Sequence, residues 1–242
     1  MTRLFSFGCS FTNYRWMTWA DILGTQYDGF YNWAQSGAGN LYILNSIMEA
    51  DQRQKFQPGD TVIVCWTNVA REDRYVDGRG WITLGNVTSA PIFTKEFIAN
   101  AVCNRGYLIK DIASVKAAKE FLTFRGVTWK FLSMCPLMQV DPWDDTKLND
   151  GDVYNLYKDV FDTMLPSYTE VLGHNFWTTD LHKRFRYEAG GVDYHPTSEE
   201  HLRYLDTVLP GWVINQALRT NIAETPVIMN KRANGSCMQP RL

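Results

Sequence analysis

A chain of 242 residues with a formal net charge of −2 has the length for one large domain or two small ones, and can bury a sizeable core. With 45% hydrophobic, 14% aromatic and 21% charged residues and no long basic run, it has a globular composition and lacks the electrostatic footprint of a nucleic-acid binder. Its five cysteines (Cys9, Cys65, Cys103, Cys135, Cys237) are odd in number and form no C-x-x-C pair, so reduced thiols are expected rather than disulfides. The N-terminus opens on strand-like residues, without a charged-then-apolar leader, and no segment has the length of a membrane span. The expectation is a cytoplasmic protein with neither a membrane nor a nucleic acid as partner.

Leu4 to Phe7 reads as a first strand and Trp16 to Leu23 as a first helix ending near Gly24. Gly29 to Ala34 reads as a second strand. It feeds Gln35-Ser-Gly-Ala-Gly-Asn40 and a helix from Leu41 to Ala50, apolar at Leu41, Leu44, Ile47 and Met48. Pro58-Gly-Asp60 marks a turn, and Thr61-Val-Ile-Val-Cys-Trp66 has the continuous apolar run of a strand buried on both faces. Residues 69–107 carry glycines, aromatics and charges without a clear period and read as an insertion. Leu108 to Phe124 is helical in period, and Val127 to Ser133 is another buried strand, closed by Pro136. Leu137 to Asp152 reads as loop, Val153 to Leu165 as helix, and Asn175 to Thr178 as a short extended piece. Glu199 to Leu218 closes the domain with helix, interrupted at Pro210-Gly211. Residues 220–242 form a tail of little pattern, expected to order against a partner, with self-association as one route. Strands alternating with helices predict an α/β fold, a three-layer α/β/α sandwich around a central, mainly parallel sheet.

Four islands fall at the ends of these elements: Gly8-Cys-Ser10 after the first strand, Asn32 to Gly37 after the second, Trp66-Thr-Asn68 after the third, and Asp193-Tyr-His195-Pro196 before the last helix. Ligands of open α/β sheets bind at the carboxyl ends of the strands. Acyl transfer needs a nucleophile, a base, a group that orients the base, and donors for the oxyanion. Ser10, His195 and Asp193 can fill the first three roles. The backbone N–H groups of Ser10 and Gly37 and the Asn68 amide can be the donors, a bare glycine letting its N–H approach a reacting carbonyl closely. Each residue also has a plainer reading: Ser10 as a helix N-cap, Asn68 as a turn asparagine, and Thr197 or Ser198 as the cap of the last helix.

In this order and at these positions the islands resemble the blocks of the SGNH (GDSL-type) hydrolase family. Gly8-Cys-Ser-Phe-Thr12 is similar to the family's Gly-Asp-Ser block with Cys9 in the acidic position, a variant that resembles phage and bacterial members. The resemblance implies a flavodoxin-like fold over residues 1–219, with 69–107 inserted near the cleft and 220–242 as the tail. It also implies a Ser10-His195-Asp193 triad, an oxyanion hole of Ser10, Gly37 and Asn68, and no metal or other cofactor. The family's last block usually places two residues between Asp and His; here only Tyr194 intervenes. In an extended segment i and i+2 share a face, so Asp193 stays on the side of His195. Asp180 as a distant substitute and a Ser-His dyad are the other arrangements.

Arg71 and Arg74 follow the third strand directly. Solvated charge is the default for such residues, and recognition of an anionic or hydroxylated substrate is the sharper reading. Tyr75 and Trp81 in the insertion offer faces on which a sugar ring could stack. An EF-hand reading of the acidic run at Asp144 and Asp145 lacks the glycine and glutamate spacing. The dinucleotide fingerprint, the P-loop and the G-x-S-x-G elbow are likewise incomplete or absent. The expected function is a serine esterase acting on a small-molecule or glycan ester, an O-acetyl carbohydrate by family analogy. The alternative is a catalytically silent structural or glycan-binding component, such as one of a virus particle.

Overall fold

The computed structural model describes residues 2–140, 148–178, 185–187, 190–224 and 236–237. In chain order these form β1 (Arg3–Phe7), α1 (Trp19–Gly24), β2 (Gly29–Asn32), α2 (Asn40–Gln54), β3 (Thr61–Trp66), β4 (Arg71–Val76), β5 (Gly80–Asn86), α3 (Lys95–Ala101) and α4 (Asn104–Phe124). They continue with β6 (Thr128–Ser133), α5 (Gly151–Leu156), α6 (Lys158–Phe161), α7 (Tyr168–Leu172), α8 (Ser198–Val208), α9 (Gln216–Glu224) and β7 (Ser236–Cys237).

The sheet runs β6-β3-β1-β2-β7 with every pairing parallel; Phe5 lies opposite Tyr31 on one side and Val62 on the other. Its central strands are buried on both faces, as the β-branched run 61–66 predicts: every residue of β3 is buried, and Leu4, Phe5 and Phe7 of β1 are inaccessible. The chain moves from β1 through α1 to β2, then returns through α2 to β3 on the far side of β1. Parallel crossovers are as a rule right-handed, so two that run in opposite directions put α1 and α2 on opposite faces, where α2 packs on α4 and α1 on α8. This is the three-layer α/β/α arrangement. The reversal of direction at β1 opens a crevice at the carboxyl ends of β1 and β3.

The segment after β3 is more regular than its sequence suggests. β4 and β5 form an antiparallel hairpin closed between Val76 and Gly80, followed by α3 and the first turn of α4. Asp77-Gly78 between β-forming flanks is a hairpin signal that the surrounding charges obscure. Asp73 anchors the hairpin to the body: Oδ1 accepts from Gly39 N (2.8 Å) and Oδ2 from Tyr42 N (2.9 Å), so a hairpin carboxylate satisfies donors at the start of α2. On the other side Gly85 N donates to Gly37 O (2.9 Å). A Cβ on Gly37 would stand 2.3 Å from Thr83 O, so glycine there is required by the approach of β5.

Other boundaries shift for local reasons. α1 starts at Trp19 rather than Trp16, because Thr18 and Asp21 form a capping box. The helix expected over 153–165 breaks at Tyr157 into α5 and α6, after which Met164 bridges to Phe131. The extended piece expected at 175–178 is instead turn, with Phe176 N donating to Gly173 O and Thr178 N to Asn175 O. α7 has no counterpart among the expected elements, although Ser167-x-x-Glu170 is its capping box. α9 runs through residue 220 to Glu224, and β7 pairs with the free edge of β2. Residues 225–235 and 238–242 of the tail, Asp144, Asp145 and Asp180 lie outside the described residues. Cys9, Cys65, Cys103 and Cys135 are free thiols, and among the described residues no helix is long and apolar enough to cross a membrane.

α4 buries Asp111, 2% exposed, at the junction of α2 and the hairpin. Burial raises its pKa to about 7, opposed by Lys110 and Asn40 and reinforced by Asp73 and Glu72. The folded chain thus holds a proton that the unfolded chain releases, and stability falls as pH rises from the ordinary carboxylate range to about 7. Urea melts between pH 4 and 7 should show wild type losing about 2–4 kcal/mol more than Asp111→Asn across that window. Parallel pH profiles for the two proteins would refute this assignment.

Candidate active site

Beyond β1 the chain turns sharply, with Thr12 N and Asn13 N both donating to Cys9 O (2.9 and 3.1 Å). The turn is braced at Thr12, whose carbonyl accepts from Asn32 Nδ2 (2.9 Å) and Thr18 Oγ1 (2.8 Å), and whose hydroxyl accepts from Trp19 Nε1 (3.2 Å). Cys9 is fully buried with Sγ 4.0 Å from Met134 Sδ, so in the acidic residue's position it packs as a small hydrophobe. Ser10 stands at the top of the turn, and the N-cap of α1 is Thr18.

His195 arrives from the other side of the crevice. Trp16 Nε1 donates to Pro196 O (2.7 Å), Ser198 Oγ donates to Met17 O (2.9 Å), and Thr197 caps α8 in a capping box with Glu200. His195 Nε2 is 2.9 Å from Ser10 Oγ, and Nδ1 is 2.8 Å from Asp193 Oδ1. The short Asp-x-His spacing closes through the main chain, because the same Oδ1 also accepts from His195 N (3.0 Å). Asp193 Oδ2 accepts from the hydroxyls of Tyr14 and Tyr187, each at 2.6 Å.

These bonds set the charges. Burial alone would raise the Asp193 pKa, but hydrogen bonds from His195, Tyr14 and Tyr187 outweigh it and hold the carboxyl well below its usual range. Burial, followed by the bonds to Asp193 and Tyr187, pushes the Tyr14 phenol far up, so it remains a donor. The Tyr14 ring also stacks on His195, with centroids 3.9 Å apart and planes at 22°, and Phe11 meets the imidazole edge-on at 6.1 Å. The imidazole is therefore fixed in tautomer by Asp193 and in plane by Tyr14. Behind Phe11, burial lowers the pKa of His201 to about 3, and its Nδ1 pairs with Tyr168 OH at 2.7 Å. Tyr14 and Tyr187 escape sequence reading, since a lone tyrosine carries no positional signature and only the fold brings these two to one carboxylate.

A cavity of about 250 Å³ opens over Ser10 and His195, walled by Phe11, Arg71, Met134 and Trp177. Gly37 is near but does not line it. The parallel pairing of β1 with β2 continues past the strand ends through Trp33 N to Ser6 O (2.9 Å) and Gln35 N to Gly8 O (3.2 Å), carrying the 36–37 turn alongside Ser10. The N–H groups of Ser10 and Gly37 donate to no carbonyl among the described residues. Asn68 is 1% exposed and also lies outside the cavity wall. Its Nδ2 donates to Val69 O and Val140 O, both at 2.9 Å, and its Oδ1 accepts from Arg71 Nε (2.8 Å). Of the four substrate-binding candidates after β3, only Arg71 enters the cavity. Arg74 pairs with Glu72 at 2.8 Å. Tyr75 and Trp81 line a separate groove with Asn45, Met48 and Phe121.

No protein-family model and no curated protein matches the chain. Among solved structures it is similar to a member of the lipolytic G-D-S-L family from Veillonella parvula, at 12% identity and a TM-score of 0.46, over 88% of this chain and 100% of that one. It is also similar to protein YxiM from Bacillus subtilis, at 14% identity and a TM-score of 0.37, over 93% of this chain. The chain spans 54% of that protein's length.

Proposed function

We propose that the protein hydrolyses a carboxylic ester through a covalent acyl-serine. The observation that carries this reading is the chain from Ser10 Oγ to His195 Nε2 (2.9 Å) and from His195 Nδ1 to Asp193 (2.8 Å), set at the switch point of a parallel sheet. Ser10 Oγ attacks the ester carbonyl as its proton passes to His195 Nε2, while ionised Asp193 stabilises the imidazolium. The N–H groups of Ser10 and Gly37, which donate to no carbonyl among the described residues, donate to the tetrahedral oxyanion. On collapse His195 returns the proton to the leaving alkoxide and the alcohol departs. Water then attacks the acyl-serine, its proton going to His195 and on to Ser10 Oγ, and the carboxylic acid is released.

A cavity of about 250 Å³ suits a small acyl group. Tyr194, 40% exposed, is on the cavity wall, and an aromatic residue there is compatible with a sugar ring, so the reading extends to an O-acetyl carbohydrate as substrate. Labelling with a fluorophosphonate probe tests the chemistry. Wild type should be labelled and should turn over p-nitrophenyl acetate, whereas Ser10→Ala should keep its fold and do neither. A folded wild type that takes no label would make the domain catalytically silent, and release of acetate from a panel of acetylated sugars tests the substrate class.

A further inference from the structure

The side chain that the family resemblance favours as oxyanion donor is committed elsewhere. Both amide hydrogens of Asn68 point at backbone carbonyls, Val69 O and Val140 O, and its orientation is fixed because Oδ1 must face a guanidinium that can only donate. That guanidinium belongs to Arg71, which walls the cavity beside Ser10 and His195. Arg71 is held by Nε to Asn68 Oδ1 (2.8 Å), by one terminal nitrogen to Ala38 O (3.0 Å), and by the other at 3.6 Å from Met134 Sδ. A guanidinium has five N–H donors, so each terminal nitrogen keeps one hydrogen beyond these contacts, on a side chain that lines the cavity.

No carboxylate forms an ion pair with this cation among the described residues, although the charge of Arg71 is felt by Asp73 nearby. Glu72 is taken by Arg74 (2.8 Å) and Lys110 (3.4 Å), Asp73 by the start of α2, and Asp193 by His195 and two tyrosines. The backbone feeding Arg71 is also strained: Ala70, buried, has φ +66, a left-handed conformation that costs an L-residue free energy. Val87 N bonding to Ala70 O (2.9 Å) locks it there. Strain of this kind persists where surrounding structure over-determines it, as at functional sites.

On the reading of Ser10 as nucleophile, we infer that Arg71, and not Asn68, is the side-chain donor to the oxyanion. Asn68 is then a positioning residue that aims Arg71. Beside the apolar walls of Phe11, Met134 and Trp177, a fixed positive charge aimed at the developing oxyanion acts more strongly than it would in water.

The test is kcat and KM for p-nitrophenyl acetate in Arg71→Met, Asn68→Ala and the double variant, each checked for folding by circular dichroism. Arg71→Met should lower kcat roughly 10²–10³-fold with KM little changed, the usual loss for an oxyanion donor. Asn68→Ala should lose part of the same activity, and the double variant should be no worse than Arg71→Met alone, because the two act as a unit. Arg71→Lys keeps the charge but loses the fork to Asn68 and Ala38. It should still lose at least roughly tenfold in kcat, and it serves if the methionine variant does not fold. Near-normal kcat in the Arg71 variants beside a large loss in Asn68→Ala would return the role to Asn68. A rise in KM confined to an anionic ester, mono-p-nitrophenyl succinate, would make Arg71 a substrate anchor; either result overturns the inference while leaving Ser10 as nucleophile. An unlabelled Ser10 in wild type would instead remove the esterase reading itself.

Discussion

His195→Ala is expected to fold normally and to hydrolyse p-nitrophenyl acetate with a kcat lowered roughly 10⁶-fold, the scale seen when a triad base is removed. The size follows from the proton's route. Without the imidazole at 2.9 Å, Ser10 Oγ must lose its proton to water and the leaving alkoxide must find one unaided. Asp193→Asn should cost less, roughly 10⁴-fold, because it preserves much of the geometry while presenting the wrong hydrogen-bonding partner to Nδ1. It has a second consequence. The amide that replaces the carboxylate keeps one acceptor oxygen and turns an NH₂ group toward the other partners, so either His195 or the Tyr14–Tyr187 pair faces a donor. Steady-state kinetics with single-turnover controls measure both variants. A loss below roughly tenfold for His195→Ala would mean that His195 does not act as the base.

The strands β1, β2, β3 and β6 are the legible part of the fold, for a physical reason. A run such as Thr61–Trp66 has no polar face to solvate, so it has to sit inside a sheet covered on both sides. The hairpin of β4 and β5 was not legible because Arg71, Glu72, Asp73 and Arg74 break the alternation that marks a strand. The charges of Asp73 and Glu72 are met in three dimensions, Asp73 by the N-terminus of α2 and Glu72 by Arg74, Lys110 and Tyr107. Ser10, Asp193 and His195 stood out as candidates because strand ends and helix caps surround them. Their meeting depends on Trp16 and Met17 gripping the residues just after His195, contacts about 180 residues apart in sequence that no local pattern encodes. The roles of Asn68 and Arg71 were hidden for a similar reason. What the Asn68 amide does is decided by Val140 O, 72 residues away, and by a guanidinium that only the hairpin puts in place.

Gly8→Ala is expected to be strongly destabilising. Gly8 joins β1 to the turn that carries Ser10 and has φ +154, a conformation that L-residues rarely adopt. A Cβ there would fall 2.2 Å from Thr12 Oγ1 and 2.9 Å from Cys65 O. The hydroxyl cannot simply rotate away without losing its bond from Trp19 Nε1, and the Cys65 carbonyl belongs to β3 at the centre of the sheet. Backbone strain of about 1–3 kcal/mol therefore adds to a core overlap worth about as much. Together they give about 2–6 kcal/mol, or a Tm lowered by roughly 5–20 °C in a domain of this size. Gly78→Ala provides the contrast. Its φ is +71, but a Cβ meets nothing within 4 Å at the exposed hairpin tip, so it should lose only about 1 kcal/mol. Thermal melts of the two variants separate strain from overlap, and equal Tm losses would show that the approach of Thr12 and Cys65 is not what requires glycine at position 8. Where Gly8→Ala remains folded below its Tm, fluorophosphonate labelling of Ser10 should slow more than stability alone accounts for, because relief of the overlap moves the turn that positions the nucleophile against His195.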